Sequence, residues 1–159
     1  MSSTQLASEG TTETRAERGV DMKLEVMQVP VSDIDRAKRF YESLGWRLDI
    51  DLVVSDDFRT VQFTPPHSGC SIHIGKGRTT AEPGSAQGTL LVVEDIDAAR
   101  DDLVGRGVDV SEVEVHRPPG LDAPAGRSYF AQATFSDPDG NGWVLQEVTT
   151  RLPGREWED

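Results

Sequence analysis

The side chains best suited to chemistry in this chain are one cysteine, Cys70, and three histidines, His67, His73 and His116. Their spacing keeps them apart. Cys70 and His73 stand three residues apart in CSIHIG, so on a strand they point to opposite faces and form no thiolate–imidazole pair. His67 lies six residues before His73, about 20 Å away along an extended strand, and His116 falls in a Pro-rich loop. A divalent ion needs three or four N, O or S ligands converging at about 2 to 2.6 Å, and one imidazole does not supply them. Asp137-x-Asp139-x-Asn141-Gly142 opens like a calcium loop, but the glutamate required at loop position twelve is Val148, and Glu147 comes one place early. Asp, Pro, Gly and Asn are the residues a tight turn demands, so the segment reads as a turn between strands. Gly75-Lys-Gly77-Arg lacks the third glycine of a dinucleotide fingerprint, and there is no GxSxG elbow or phosphate loop.

Composition narrows the partners. With 28 acidic against 16 basic residues the net charge is -12, which repels phosphate backbones and anionic lipid headgroups, so neither nucleic acid nor a membrane is expected as a partner. A lone cysteine forms no internal disulfide, which suits a reducing compartment and makes the cytoplasm the expected location. Residues 1–21 have neither an apolar run of signal or membrane length nor a periodic pattern, and are expected to be a disordered tail. Met22 opens the patterned segment and is a candidate natural start. Residues 150–159, with Pro153 and Gly154, read as a short extension in which Trp157 either docks or floats.

Between these ends, 22–149 divides into two similar halves. Val29 to Gly45 lies on Leu91 to Gly107 without a gap at an offset of 62, sharing Asp, Ile, Asp, Ala and the closing Gly. Each copy has a short apolar run, an acidic helix start, apolar residues at helical spacing and a glycine where a left-handed cap is expected. Ile34, Ala37, Tyr41 and Leu44 form one buried stripe; Ile96, Ala99 and Leu103 form the other. Strands are predicted over Leu24–Val31, Trp46–Val54, Phe58–Thr64 and Cys70–Gly75, and again over Gly88–Val93, Val110–Val115, Ser128–Phe135 and Gly142–Val148. The expected fold class is α+β: two βαβββ modules forming a half-open eight-stranded barrel, helices on the convex face and a pocket on the concave one.

That layout, together with VPVSDIDRAKRFYESLGW, VVEDIDAARDDLVGRGV and FSDPDGNGWVLQE, resembles the vicinal oxygen chelate superfamily over about 125 residues. The superfamily includes glyoxalase I, extradiol dioxygenases and bleomycin-binding proteins. The resemblance implies four inward-facing donor positions in metal-using members. Here three of them fall on Val26, Gly88 and Val144, which cannot bind a metal, and only His73 remains. No metal and no cofactor is therefore expected.

The same matched positions aim Gln28, His73 and Gln146 at the pocket, among Val26, Leu90, Val92 and Val144, while Ile72 and Ile74 turn to the helices. Arg59, Phe63 and Tyr129 lie on strands able to line it, with their facing left open. An apolar cavity with a few polar groups suits a small organic ligand. The leading expectation is a metal-independent small-molecule binding protein of the bleomycin-resistance type. An enzyme without metal, with His73 as acid or base, comes second. A metal-dependent enzyme is third, and a purely structural dimer partner fourth. The resemblance also implies a homodimer, in which the barrel is built within one chain or across two.

Overall fold

The computed structural model describes residues 19–121 and 126–155. The tail expected over 1–21 falls mostly outside the described residues, as does Trp157. The first module contains β1 (Val26–Gln28), α1 (Ile34–Ser43), β2 (Arg47–Ser55), β3 (Phe58–Thr64) and β4 (Ser71–Lys76). The second contains β5 (Thr89–Val93), α2 (Ile96–Gly105), β6 (Glu114–Val115), β7 (Ala131–Ser136) and β8 (Gly142–Glu147). Each module folds into one four-stranded sheet, in the orders β1-β4-β3-β2 and β5-β8-β7-β6. The first strand of each runs parallel to the last, and the remaining pairs are antiparallel. The two topologies are the same. Two four-stranded mixed sheets with two helices are the α+β arrangement expected; among the described residues no strand ladder joins the two sheets.

Helix boundaries repeat at the offset seen in the sequence. Asp33 caps α1 by accepting from the Arg36 N–H at 3.0 Å, and Asp95 caps α2 by accepting from the Ala98 N–H at 3.0 Å. Gly45 and Gly107 follow the two helices at φ of 78° and 88°, a left-handed geometry that glycine adopts without strain. Ala37 and Tyr41 from α1, its C-cap Leu44, and Ile96 and Leu103 from α2 are buried against one face of the sheets, with Val61, Phe63, Ile72, Ile74, Phe135, Trp143 and Leu145.

A buried polar bolt ties the modules together. Tyr41 is fully buried; its hydroxyl donates to Asp137 Oδ2 at 2.8 Å and accepts from Trp143 Nε1 at 3.1 Å. Asn141 Nδ2 donates to both Asp137 Oδ2 (2.8 Å) and the Pro30 carbonyl (2.7 Å), and Ser32 donates to Asp139 through its N–H and its hydroxyl. Asp137 Oδ1 also accepts from the N–H groups of Asp139 and Asn141, which makes the DPDGN segment the tight turn expected of it. The Asp137 carboxylate and Asp139 Oδ1 are thus committed to local and inter-module contacts, while Asp139 Oδ2 is buried without a hydrogen-bond partner among the described residues. Burial, then the charge of Asp137, pushes the Tyr41 phenol far above its ordinary range, so it stays protonated as a donor.

Two strands differ from expectation. β6 is cut to Glu114–Val115 because the Ser111 hydroxyl accepts the Thr134 N–H at 2.9 Å, replacing the ladder bond that a longer strand would make. β7 starts at Ala131, because Phe130 and Ala131 donate back to the Arg127 carbonyl in a turn and Tyr129 sits at φ 69°.

Candidate functional site

Strand alternation divides each sheet into a helix face and an open face. On β3 and β4, Val61, Phe63, Ile72 and Ile74 face the helices, so Phe58, Thr60, Gln62, Thr64, Ser71 and His73 share the other, concave face. The pairing Gln28↔His73 puts Gln28 on that face, and Val26↔Ser71 does the same for Val26. In the second sheet Trp143, Leu145 and Glu147 are buried on the helix side, which leaves Val144 and Gln146 concave, next to Leu90 and Val92.

The open face of the first sheet carries a continuous polar chain across all four strands. Asp49, at a β-bulge in β2, accepts from Gln62 Nε2 at 3.0 Å and from the Thr64 hydroxyl, and pairs with Arg47 Nε at 2.5 Å. Gln62 Oε1 lies 2.8 Å from His73 Nε2, and His73 Nδ1 lies 3.2 Å from Gln28 Nε2. The donor assignment follows from one end. Because Gln62 commits its amide N–H to the Asp49 carboxylate, its carbonyl faces the ring, so His73 Nε2 carries the hydrogen and Nδ1 accepts from Gln28. Burial, then the positive charge of Arg78, lowers the His73 pKa below its usual 6.5, which favours this neutral ring. Thr64 and Ser71 extend the chain with a hydroxyl pair at 2.7 Å.

This geometry changes what His73 offers. Both ring nitrogens are engaged by glutamines, whereas among the described residues Gln28 Oε1 has no partner and remains open as an acceptor. Gln146 lies on the open face of the second sheet and donates to the Tyr129 carbonyl at 3.0 Å. Tyr129 itself sits in the turn before β7, with its hydroxyl accepting from the Leu152 N–H at 3.2 Å.

Arg59 and Phe63 do not reach the concave face. Phe63 is fully buried beside Tyr41, and Arg59, on the same side of β3, bonds Asp51 and Asp35 at 2.9 Å. The reason lies in register: β3 alternates Arg59, Val61, Phe63 against Thr60, Gln62, Thr64, and the two apolar members of the first set go to the core. The aromatic on the open face is Phe58. The same alternation, read with Gln62 opposite His73, points to Gln62 and Phe58; Asp49 depends on a bulge that leaves no sequence signal.

Around the polar chain the open faces are apolar and uncovered: Ile50 is 41%, Leu52 48%, Leu90 50% and Val92 43% exposed. Cys70 lies on the other side of β4 from His73 and donates to the Ser71 carbonyl; burial raises its pKa, so it is a poor nucleophile. His67 and His116 are exposed and remote from the polar chain by position. Among the described residues no group of three His, Cys, Asp or Glu side chains is disposed to hold a metal, and Val26 and Val144 bring only apolar carbon to the concave face. No helix among them is long and apolar enough to cross a membrane.

Comparison with known proteins agrees with this architecture. The model of the Glyoxalase/Bleomycin resistance protein/Dioxygenase superfamily matches residues 23–145. Among solved structures, TnmS3, an antibiotic binding protein from Streptomyces sp. CB03234, is 35% identical, with 80% of this chain and 97% of that one covered and a TM-score of 0.63. A glyoxalase/bleomycin resistance protein from the same organism is 34% identical over 79% of this chain and all of its own, with a TM-score of 0.61. A superfamily member from Sphaerobacter thermophilus DSM 20745 is 29% identical over 80% and 98%, with a TM-score of 0.63. No curated protein sequence matches.

Proposed function

The chain belongs to the Glyoxalase/Bleomycin resistance protein/Dioxygenase superfamily, and from that premise we propose that it is a metal-independent binding protein for a small, largely apolar organic molecule. The observation that carries this reading is the open face itself: exposed Ile50, Leu52, Leu90 and Val92 flank a pre-organised row of amides and one imidazole. Apolar walls with a few fixed polar groups are what organic ligands require, and covering those walls removes apolar surface from water at about 25 cal/mol per Å². The likeness to an antibiotic binding protein supports the same reading.

Binding is favoured over acid–base catalysis because His73 has both nitrogens satisfied, so proton transfer would first have to break a protein hydrogen bond. In this reading Gln28 and His73 meet the ligand's polar group, and Gln146 contributes from the second sheet. A homodimer is the natural complement, since a second copy's sheet would turn two open faces into an enclosed cleft. Cytoplasmic placement fits the half-buried reduced Cys70.

The test is a thermal-shift screen of largely apolar antibiotics, run with and without EDTA on metal-analysed protein. A ligand at 100 times its Kd adds about 2.7 kcal/mol to stability. Tm is expected to rise for at least one compound, equally in both conditions. A rise that disappears with EDTA would contradict metal independence, and no rise across the panel would contradict binding.

A further inference from the structure

Most of the described arginines of this acidic chain are paired with a carboxylate, and Arg78 is held without such a pair. Arg36, Arg47, Arg59, Arg100, Arg106 and Arg127 each lie within 4 Å of an Asp or Glu oxygen. Among the described residues Arg78, like Arg39 and Arg155, has no carboxylate partner, although the β2–β3 turn beside it is acidic; there Asp57 pairs with Lys76 at 3.7 Å. Yet Arg78 is held in place. Its Nε donates to the Thr60 hydroxyl at 2.8 Å, and its guanidinium carbon stands 4.9 Å from the centre of the Phe58 ring. Both anchors belong to the concave face of β3, and Thr60 is two residues from Gln62, about 7 Å along the strand.

The backbone enforces the placement. Gly77 has φ of 81°, and a Cβ there would lie 2.6 Å from the Asp57 carbonyl and 3.0 Å from the Phe58 ring. Only glycine lets the chain close over the turn and lay Arg78 on Phe58. Beside it Gly77, Arg78, Thr79 and Thr80 line an open depression of about 420 Å³. The terminal guanidinium nitrogens, with four N–H donors, therefore remain available at the edge of the polar chain. A fixed guanidinium without a carboxylate partner fits an acidic oxygen, which accepts two parallel N–H bonds.

We propose that Arg78 is the anion-reading residue of the concave site, so that the ligand is an apolar ring system bearing a carboxylate, sulfonate or phenolate oxygen. This rests on the binding reading above and adds the charge of the ligand to it. Arg78 grips the acidic group, Gln28 Oε1 accepts an N–H or O–H, and Ile50 and Leu52 meet the rings.

Two fluorescent probes isolate the claim, because 8-anilino-1-naphthalenesulfonate and N-phenyl-1-naphthylamine share one skeleton and differ by the sulfonate. Each is titrated into the full chain and into Arg78→Gln, Arg78→Lys and Ile50→Asn, with thermal melts to verify folding. The expected result is that Arg78→Gln weakens the sulfonate probe tenfold or more and the neutral probe less than twofold. Arg78→Lys should recover part of the loss, and Ile50→Asn should weaken both probes. Equal effects of Arg78→Gln on the two probes, with Ile50→Asn still weakening both, would overturn the role of Arg78 and leave the concave site standing. Indifference of both probes to Ile50→Asn, or no saturable binding to the unaltered chain, would remove the concave site and the inference with it.

Discussion

Removing a single oxygen from Tyr41 is expected to loosen the joint between the modules. In Tyr41→Phe the ring keeps its packing against Trp46, Phe63 and Trp143, with centroids 5.3 to 6.1 Å away, so no cavity larger than a hydroxyl opens. What disappears is the 2.8 Å bond to Asp137 and the acceptor for Trp143 Nε1. A hydrogen bond to a charged group is worth about 1.5 to 3 kcal/mol, and a stranded buried N–H costs about 1 to 3 kcal/mol. Asp137 keeps Asn141 Nδ2 and two backbone donors, which places the sum near the lower ends, at about 3 kcal/mol. For a domain of this size that is roughly a 10 °C fall in Tm. Urea unfolding followed by tryptophan fluorescence gives the free energy, and a cycle with Trp143→Phe isolates the hydroxyl–indole coupling, expected at about 1 kcal/mol. A loss below about 0.5 kcal/mol, or strictly additive effects, would refute the idea that this network bolts the modules.

Acid should act on the first sheet through His73. Its folded pKa is below 6.5, so the unfolded chain takes up a proton that the folded chain refuses; stability is full above 6.5 and falls as pH drops through that value toward the folded one. Chemical unfolding of the unaltered chain and His73→Gln from pH 7.5 to 5 checks this, and parallel curves would deny it. The carboxylate of Asp51, bonded by Arg59 and Lys38, has its pKa lowered from 3.8 to about 2, so its contribution is present above 3.8 and lost as pH falls to about 2. Asp51→Asn should therefore flatten the acid limb of the stability curve below pH 4, and an unchanged limb would exclude that pair as its cause. Nitrogen NMR of the side chains should find neutral His73 with hydrogen on Nε2, and a mixture of tautomers once Gln62→Leu removes the acceptor; a ring with hydrogen on Nδ1 would reverse the proposed chain of donors.

The fold was legible because it is written twice. Asp33 and Asp95, Gly45 and Gly107, and the apolar stripes between them fix the helices by local physics, and an offset of 62 carries one module onto the other. Strand ends were less so, since the limits of β6 and β7 depend on a Ser111 hydroxyl and a turn at Tyr129 that compete with the ladder. At the site, parity from matched positions placed Gln28, His73 and Gln146 on one side. It also held the answer for Phe63 and Arg59, because a strand reading Val61, Phe63 must turn Gln62 the other way. Asp49 and Arg78 were out of reach: one acts from a bulge and the other folds back from a loop, and neither follows a period.

On the binding reading, Gln28, held by His73, meets an organic ligand on the open face. Calorimetry with one compound from the thermal-shift screen, titrated into the unaltered chain, Gln28→Ala, His73→Ala and Gln146→Ala, tests it most directly. Loss of the acceptor, or of the ring that orients it, should weaken binding by about 1 to 3 kcal/mol, roughly 5- to 150-fold, while Tm changes little. Gln146→Ala should give a smaller loss, its amide being tied to Tyr129. Equal affinity in all four proteins would contradict the claim.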